Sequence, residues 1–442
     1  MTAPFLQVII FLIIGIAAII VLTTRLKVHA FFALLVACFI VGLGVQLSVP
    51  TIVTTIKDGF GAIMKSLGLI IILGTTLGVL LEHTGSTKAM ASYILKRVGE
   101  HNAPLAMSLT GFIVGLPIFC DSGYIVLSGL NKSISKRTGI PMTVMAVAMA
   151  TGLYSVHCLI PPHPGAAAAA GTIGVDFGRL ILWGMLVAIP AMLVGYGWAV
   201  YAGKKEPVAI SEEETMVEAT AEQPSVINSF LPIVVPIALI ALNSFFTIDP
   251  VINNRWFNII SALGDPVIAL LIGILLAFNG KRFWNKKQVG LLLQEAVEKA
   301  GGILVIIGAG GAFGAILAAT KIGGHVSQAL TLGSIGIFFP FLLTFILKTA
   351  QGSSTVAIIT AASIVQPLLP ALGLDSDKGH LLCVLAMGAG SMMISHANDA
   401  YFWVITKFAG LEMKSMLKVY SVATLLMGLV SLLMVYLLSI FL

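Results

Sequence analysis

Apolar runs of about 20 residues recur from one end of the chain to the other. That is the length of α-helix needed to cross the roughly 30 Å hydrocarbon core of a bilayer. Inside hydrocarbon every backbone N–H and C=O must be satisfied within the chain, so such runs become helices. They fall at roughly 5–24, 28–48, 66–83, 139–171, 179–202, 229–247, 263–279, 300–319, 380–405 and 416–441. The ~10-residue alternation of an outer-membrane barrel is absent from the sequence. Composition agrees, with 58% of the 442 residues hydrophobic and 10% charged, against about 45–50% and about 25% in soluble domains. The reading is an all-α polytopic membrane protein. Its net charge of +6 sits in short loops and does not point to nucleic acid. Cys38, Cys120, Cys158 and Cys383 lie in apolar segments and are expected as free thiols. The first run lacks a preceding basic region and is read as a retained span.

Two more segments, roughly 103–130 and 333–370, are apolar but punctuated by Gly, Pro and polar residues. Read as re-entrant hairpins, they leave about ten full spans and place both termini on one side. Arg25, Lys27 and 16 further basic residues then share one face, 18 of the 25 in all. By the positive-inside rule that face is cytoplasmic and both termini are outside. Glu82 and His83 read as interfacial, Asp265-Pro266 as a helix cap and first turn, and Trp256, Phe283 and Trp284 as interface anchors.

The chain divides at an acidic stretch, Gly203–Ile227, read as a solvated cytoplasmic linker between a first repeat at 1–202 and a second at 228–442. Features recur across it at an offset of about 236. Gly74 and Gly78 fall on Gly310 and Gly314, each pair with the spacing that lets helices approach closely. In each half a hairpin follows, then a span with a polar break beside a histidine. The assumed topology makes the repeats inverted. Inverted repeats with helices broken near the midplane are the architecture of secondary transporters.

Four polar clusters carry the breaks. The first is Pro117 to Gly123, with Cys120, Asp121 and Ser122. The second is His157 to Gly165, where Pro161, Pro162 and Pro164 each remove a backbone donor and interrupt the helix. The third is Gln351, Gly352, Ser353, Ser354 and Thr355. The fourth is Ser395, His396, Asn398 and Asp399. An ionisable residue costs ~2.5–3.5 kcal/mol at the centre of a span on insertion scales, so Asp121, Asp399, His157, His163 and His396 read as functional. Lys348 is read as assisting an anion or as snorkelling to the interface; the positive potential for a substrate anion is expected from hairpin and half-helix N-termini, without a buried strong base. HExxH, Walker and CxxC patterns are absent from the sequence, and Gly308 to Gly314 reads as helix packing. Enzymatic chemistry, cofactors and metals are not expected.

At these residues the chain resembles the gluconate:proton symporter, or gluconate permease, family. The likeness rests on Phe119-x-Asp121-x-Gly123, on His157 through Gly165 as His-x-x-x-Pro-Pro-x-Pro-Gly, on Gly352 through Ala357, and on Ser395 through Trp403. It implies a bacterial inner-membrane importer of a sugar acid or hydroxy acid driven by protons, and kinship with the ion transporter superfamily. That kinship implies a homodimeric elevator transporter. Ser122 stands where gluconate carriers of the family have an aliphatic residue, which loosens the assignment to gluconate itself.

The substrate site is expected to draw on Asp121, Ser122, Gly123, His157, His163, Gln351, Gly352, Ser353, Ser354, Thr355, His396, Asn398 and Asp399. Asp121 is the first candidate for proton coupling, followed by Asp399 with His396, then His157. Sodium coupling on the same fold, for a related carboxylate or a D-amino acid, is the alternative.

Overall fold

The computed structural model describes residues 4–206, 224–246, 259, 262–281, 284–321 and 335–442. Most of the acidic linker, Trp256, Phe283 and the first two residues of the second hairpin segment lie outside them. The described residues are helical, with no strand among them. Among the described residues, seven helices are long and apolar enough to cross a membrane. Of the ten expected spans, seven coincide with these; 28–48 and 263–279 are shorter helices, and 380–405 is interrupted.

The first half contains α1 (Phe5–Thr24), α2 (Ala30–Gly44), α3 (Val49–His83), α4 (Ser86–Val98), α5 (Ala103–Gly115), α6 (Cys120–Thr138), α7 (Met142–Leu159), α8 (Pro164–Ile173) and α9 (Phe177–Gly203). The second contains α10 (Val226–Phe246), α11 (Pro266–Ala277), α12 (Lys286–Ala319), α13 (Phe338–Gln351), α14 (Ser354–Val365), α15 (Asp377–Met392), α16 (Ala400–Ala409) and α17 (Val422–Phe441), the last preceded by a helical turn at 413–421. Helix starts recur at the same offset of about 236: α2 with α11, α3 with α12, α5 with α13, and α8 with α16.

Two helices differ from the sequence reading. The spans at 66–83 and 300–319 are the C-terminal parts of α3 and α12, which begin at Val49 and Lys286. Polar residues such as Thr51, Lys57, Asp58, Lys286 and Lys287 dilute the hydropathy there without breaking the helix. Both starts are capped: Ser48 Oγ accepts the Thr51 N–H at 3.3 Å, and Asn285 Oδ1 accepts that of Lys287 at 2.9 Å. Asp265 caps α11 in the same way through Val267 and Ile268, with Pro266 in its first turn.

α3 and α12 make the most extensive helix contact of the fold. Their backbones nearly touch, because a Cβ added at Gly59 would lie 2.6 Å from the Gly311 carbonyl oxygen. Near one end of the pair, Lys299 bridges Glu82 at 3.7 Å and Glu295 at 2.8 Å, and His83 meets Glu295 at 3.2 Å. Glu82 and His83 are thus tied to the other half. Further along, each long helix supports its own half. Gly74 faces Pro162 and Gly78 the Pro117 carbonyl, while Gly310 faces Ile359 and Gly314 the backbone of Ser363.

The start of the linker is anchored to the second half. Glu206 bonds the Lys418 ammonium and the Ser415 hydroxyl, and its carbonyl accepts from Thr143 Oγ1 at 2.7 Å. The Lys418 hydrogen bond holds the Glu206 carboxyl below its usual range.

Candidate functional site

The first hairpin is α5 and α6, joined at 116–119. Phe119 occupies the N-cap of α6 without a side-chain acceptor, and Asp121 stands in the first turn, where the helix end favours an anion. Its carboxylate lies 3.8 Å from the Cys120 thiol. The first broken helix is α7 and α8, parted at the three prolines. His163 stands at the N-cap of α8, buried, and its Nε2–H donates to the Gly115 carbonyl at the end of α5 at 2.6 Å. That bond satisfies a last-turn carbonyl of the hairpin and fixes the ring. The His157 ring packs 4.9 Å from that of His163, and its Nε2 is 3.5 Å from Thr355 Oγ1 in the other half.

The second hairpin is α13 and α14. Gly352 turns the chain at a φ of 83°, and the Ser353 hydroxyl caps α14 through the Val356 N–H. The second broken helix is α15 and α16, parted at 393–399. Asp399 caps α16: one carboxylate oxygen, Oδ1, accepts the Tyr401 N–H at 3.0 Å. The other, Oδ2, accepts Ser395 Oγ at 2.5 Å and Lys348 Nζ at 2.6 Å. Lys348 Nζ also donates to the Gly352 carbonyl at 2.5 Å. The Lys348 side chain is 0% exposed, so it is a buried strong base and does not snorkel. The expectation of a site without such a base is corrected here. Its carboxylate partner Asp399 lies 51 residues away in sequence, and no local pattern links the two.

The two halves use one device. The residue capping the helix after each break reaches back to its own hairpin, His163 to Gly115 and Asp399 to Lys348. Helix register therefore matches His163 with Asp399, not His157 with His396. Each of these helices also packs on the other half's hairpin, α8 against α14 and α16 against α6. Gly165 makes the first approach possible, because a Cβ there would meet Thr355 Cα at 3.3 Å. Asp121 in turn lies within the field of Asp399 and Lys348. All four breaks thus meet across the repeats.

Four buried tyrosines, none of them among the expected site residues, fill the junction. Tyr401 packs 5.8 Å from Tyr154 and 6.1 Å from both Tyr124 and Tyr420, ring to ring. Tyr154 Oη donates to the Ser391 carbonyl and Tyr401 Oη to that of Ala150, each crossing between the halves. The signal available in the sequence was their place in otherwise apolar segments, beside motifs already singled out.

Asn398 Nδ2 donates to the Thr349 carbonyl at 2.8 Å, and His396 Nε2 approaches the same oxygen at 3.3 Å, closing the last turn of α13. Both polar atoms of the Gln351 side chain are buried without a hydrogen-bond partner. Ser354 lies within reach of Tyr154 and Cys158. Ser122 lines a small pocket with Phe119, Glu82 and Lys299. Among the described residues no group of three His, Cys, Asp or Glu is placed to hold a metal.

Gly123 and Gly352 serve packing within the protein. A Cβ at Gly123 would meet the movable Leu153 Cδ2 at 2.8 Å, whereas one at Gly352 would lie 2.1 Å from the Asn398 carbonyl oxygen. Gly352→Ala combines that clash with a left-handed backbone. It should cost about 2–4 kcal/mol in thermal unfolding, and Gly123→Ala about 1 kcal/mol. Equal losses would contradict this placement of Gly352.

Residues 7–441 match the family model described as GntP family permease. The chain is 33% identical to a gluconate permease of Pseudomonas aeruginosa, over 97% of this chain and 96% of that protein. It is 30% identical to the D-serine transporter DsdX of Escherichia coli K12, over 97% of each. In structure it resembles the YdaH transporter of Alcanivorax borkumensis, with a TM-score of 0.64, 17% identity, and coverage of 89% of this chain and 88% of that one.

Proposed function

Because the chain belongs to the GntP family of permeases, we propose that it imports a small hydroxylated carboxylate, a gluconate-like sugar acid, by proton symport. It is a multi-pass membrane transporter and not an enzyme. The observation that supports the finer reading is the meeting of four helix breaks from both halves around one buried cation. A carboxylate needs a cation or free N–H groups, and a polyol chain needs several hydroxyl and amide partners. Ser122, Ser354, Thr355, Gln351 and Asn398 offer the latter, with Asp121, His157, His163, Gly123, Gly352, Ser353, His396 and Asp399 building the walls. Asp121, Asp399, His157 and His396 are the groups considered for the proton. Elevator-type alternating access, a homodimer, a bacterial inner-membrane location and both termini outside belong to the same proposal.

A thermal-shift screen of the purified protein tests the substrate class. A ligand that binds only the folded state stabilises by about 2.7 kcal/mol at one hundred times its Kd. Gluconate should raise the unfolding midpoint, and sorbitol, a neutral polyol of equal length, should not. A rise with D-serine alone would move the assignment to a D-amino acid. A rise with sorbitol equal to that with gluconate would contradict a carboxylate site.

A further inference from the structure

We propose that Lys348 is the group that receives the substrate carboxylate and that Asp399, its partner in the empty site, takes the co-transported proton. This rests on the symport reading above and assigns its chemistry to two residues. Lys348 Nζ sits at the tip of the second hairpin, held by the Gly352 carbonyl and by Asp399 Oδ2. Of these two acceptors, only the carboxylate can be neutralised. The Gly352 bond keeps the ammonium at the tip when the other is released. Asp399 has a second anchor, the Tyr401 N–H on Oδ1, so protonating Oδ2 frees the lysine without undoing the cap of α16. Ser395 Oγ, which donates to Oδ2, can turn to accept the new O–H.

The step balances. One proton from the medium binds Asp399 Oδ2. The Lys348 Nζ–H···Oδ2 bond breaks, and a Nζ–H···O bond forms to the incoming carboxylate. Before loading, Lys348 and Asp399 sum to zero charge; after loading, Lys348, neutral Asp399 and the substrate anion again sum to zero. Isolated buried charge is expensive, so anion and proton enter as a pair, one of each. Their binding is reciprocal: each raises affinity for the other. An anion arriving without a proton would have to displace Asp399 from Lys348 and leave a buried carboxylate unpaired.

Several titratable groups face the pair. Asp121 and Cys120 approach from α6, His157, Tyr154 and Cys158 from α7, and Tyr420 from the turn before α17. Asp121 is not the acceptor of the lysine; its carboxylate lies against the Cys120 thiol. Protonating Asp121 would therefore leave the Lys348–Asp399 bond in place.

The test uses the full-length protein in detergent and in liposomes, with gluconate as the probe. In weak buffer, the wild type should take up about one proton per gluconate bound. Its affinity should fall about tenfold per pH unit wherever binding takes up one full proton. Asp399→Asn should bind gluconate with no proton uptake and no pH dependence, and should exchange it across liposomes without concentrating it. Lys348→Met/Asp399→Asn, which removes both charges, should fold and lose gluconate affinity by about 30-fold or more. If Asp399→Asn does not fold, infrared difference spectra decide. The C=O band of a protonated carboxylic acid should appear when gluconate binds to the wild type, and also in Asp121→Asn. Asp399→Asn that still takes up a proton and accumulates gluconate uphill, a double variant with undiminished affinity, or a band lost in Asp121→Asn would each overturn the assignment while leaving symport standing. A wild type that concentrates gluconate on a sodium gradient with no proton uptake would overturn symport and the assignment together.

Discussion

Lys348→Met should lower the stability of the protein by about 3–5 kcal/mol, one of the two largest effects expected of a single substitution here. The lysine is fully buried and its ammonium is 2.6 Å from Asp399 Oδ2. Removing one member of a buried pair leaves the other uncompensated, and that, more than the lost attraction, is what destabilises. Two further changes accompany it. The Gly352 carbonyl loses a donor and the break at 393–399 loses one of its ties to α13, while Ser395 remains as the hydroxyl donor to Asp399. Lys348→Met/Asp399→Asn should recover most of the loss, because neither charge remains. Thermal unfolding of the two single variants and the double variant gives the coupling directly. Additive losses would mean that the pair contributes little as a pair.

Gly311→Leu should cost about 3 kcal/mol or more by forcing α3 and α12 apart. A Cβ at Gly311 would already lie 2.3 Å from Ile63 Cγ1 and 2.7 Å from the Gly59 carbonyl oxygen. Ile63 can shift a rotamer, but the carbonyl belongs to a helix and cannot retreat alone. The same helix carries Gly310 and Gly314, which meet α14, so the displacement would spread to the second hairpin. Reduced yield of folded protein and a lowered unfolding midpoint are expected. Gly302→Leu, where an added Cβ meets no neighbour within 4 Å, is the control. Similar losses at both positions would show that the close crossing does not hold the halves together.

The breaks were legible in the sequence because they are costly. Prolines 161, 162 and 164 cannot continue a helix, and Asp121 and Asp399 cannot lie in hydrocarbon without partners. Both signals are local. The lower parts of α3 and α12 were hidden by their charged residues, although Ser48 and Asn285 were there to be read as caps. The Lys348–Asp399 pair was not legible, because its evidence is a distance between residues of different elements. The partnership of His163 with Gly115 escaped for the same reason, since a carbonyl carries no residue signature. Matching the two halves by residue type would pair His157 with His396. Helix boundaries instead match His163 with Asp399, because the repeat preserves position at a helix end and not residue identity.

The most direct test of the account is gluconate uptake into liposomes containing the purified protein, with choline replacing sodium on both sides and a pH gradient imposed across the membrane. One pH unit is worth about 1.4 kcal/mol. A one-to-one symporter should therefore build up to about a tenfold gluconate gradient on the alkaline side and lose it when a protonophore is added. Uptake that stops at equilibrium under the pH gradient, and becomes uphill only when a sodium gradient is supplied, would contradict proton symport.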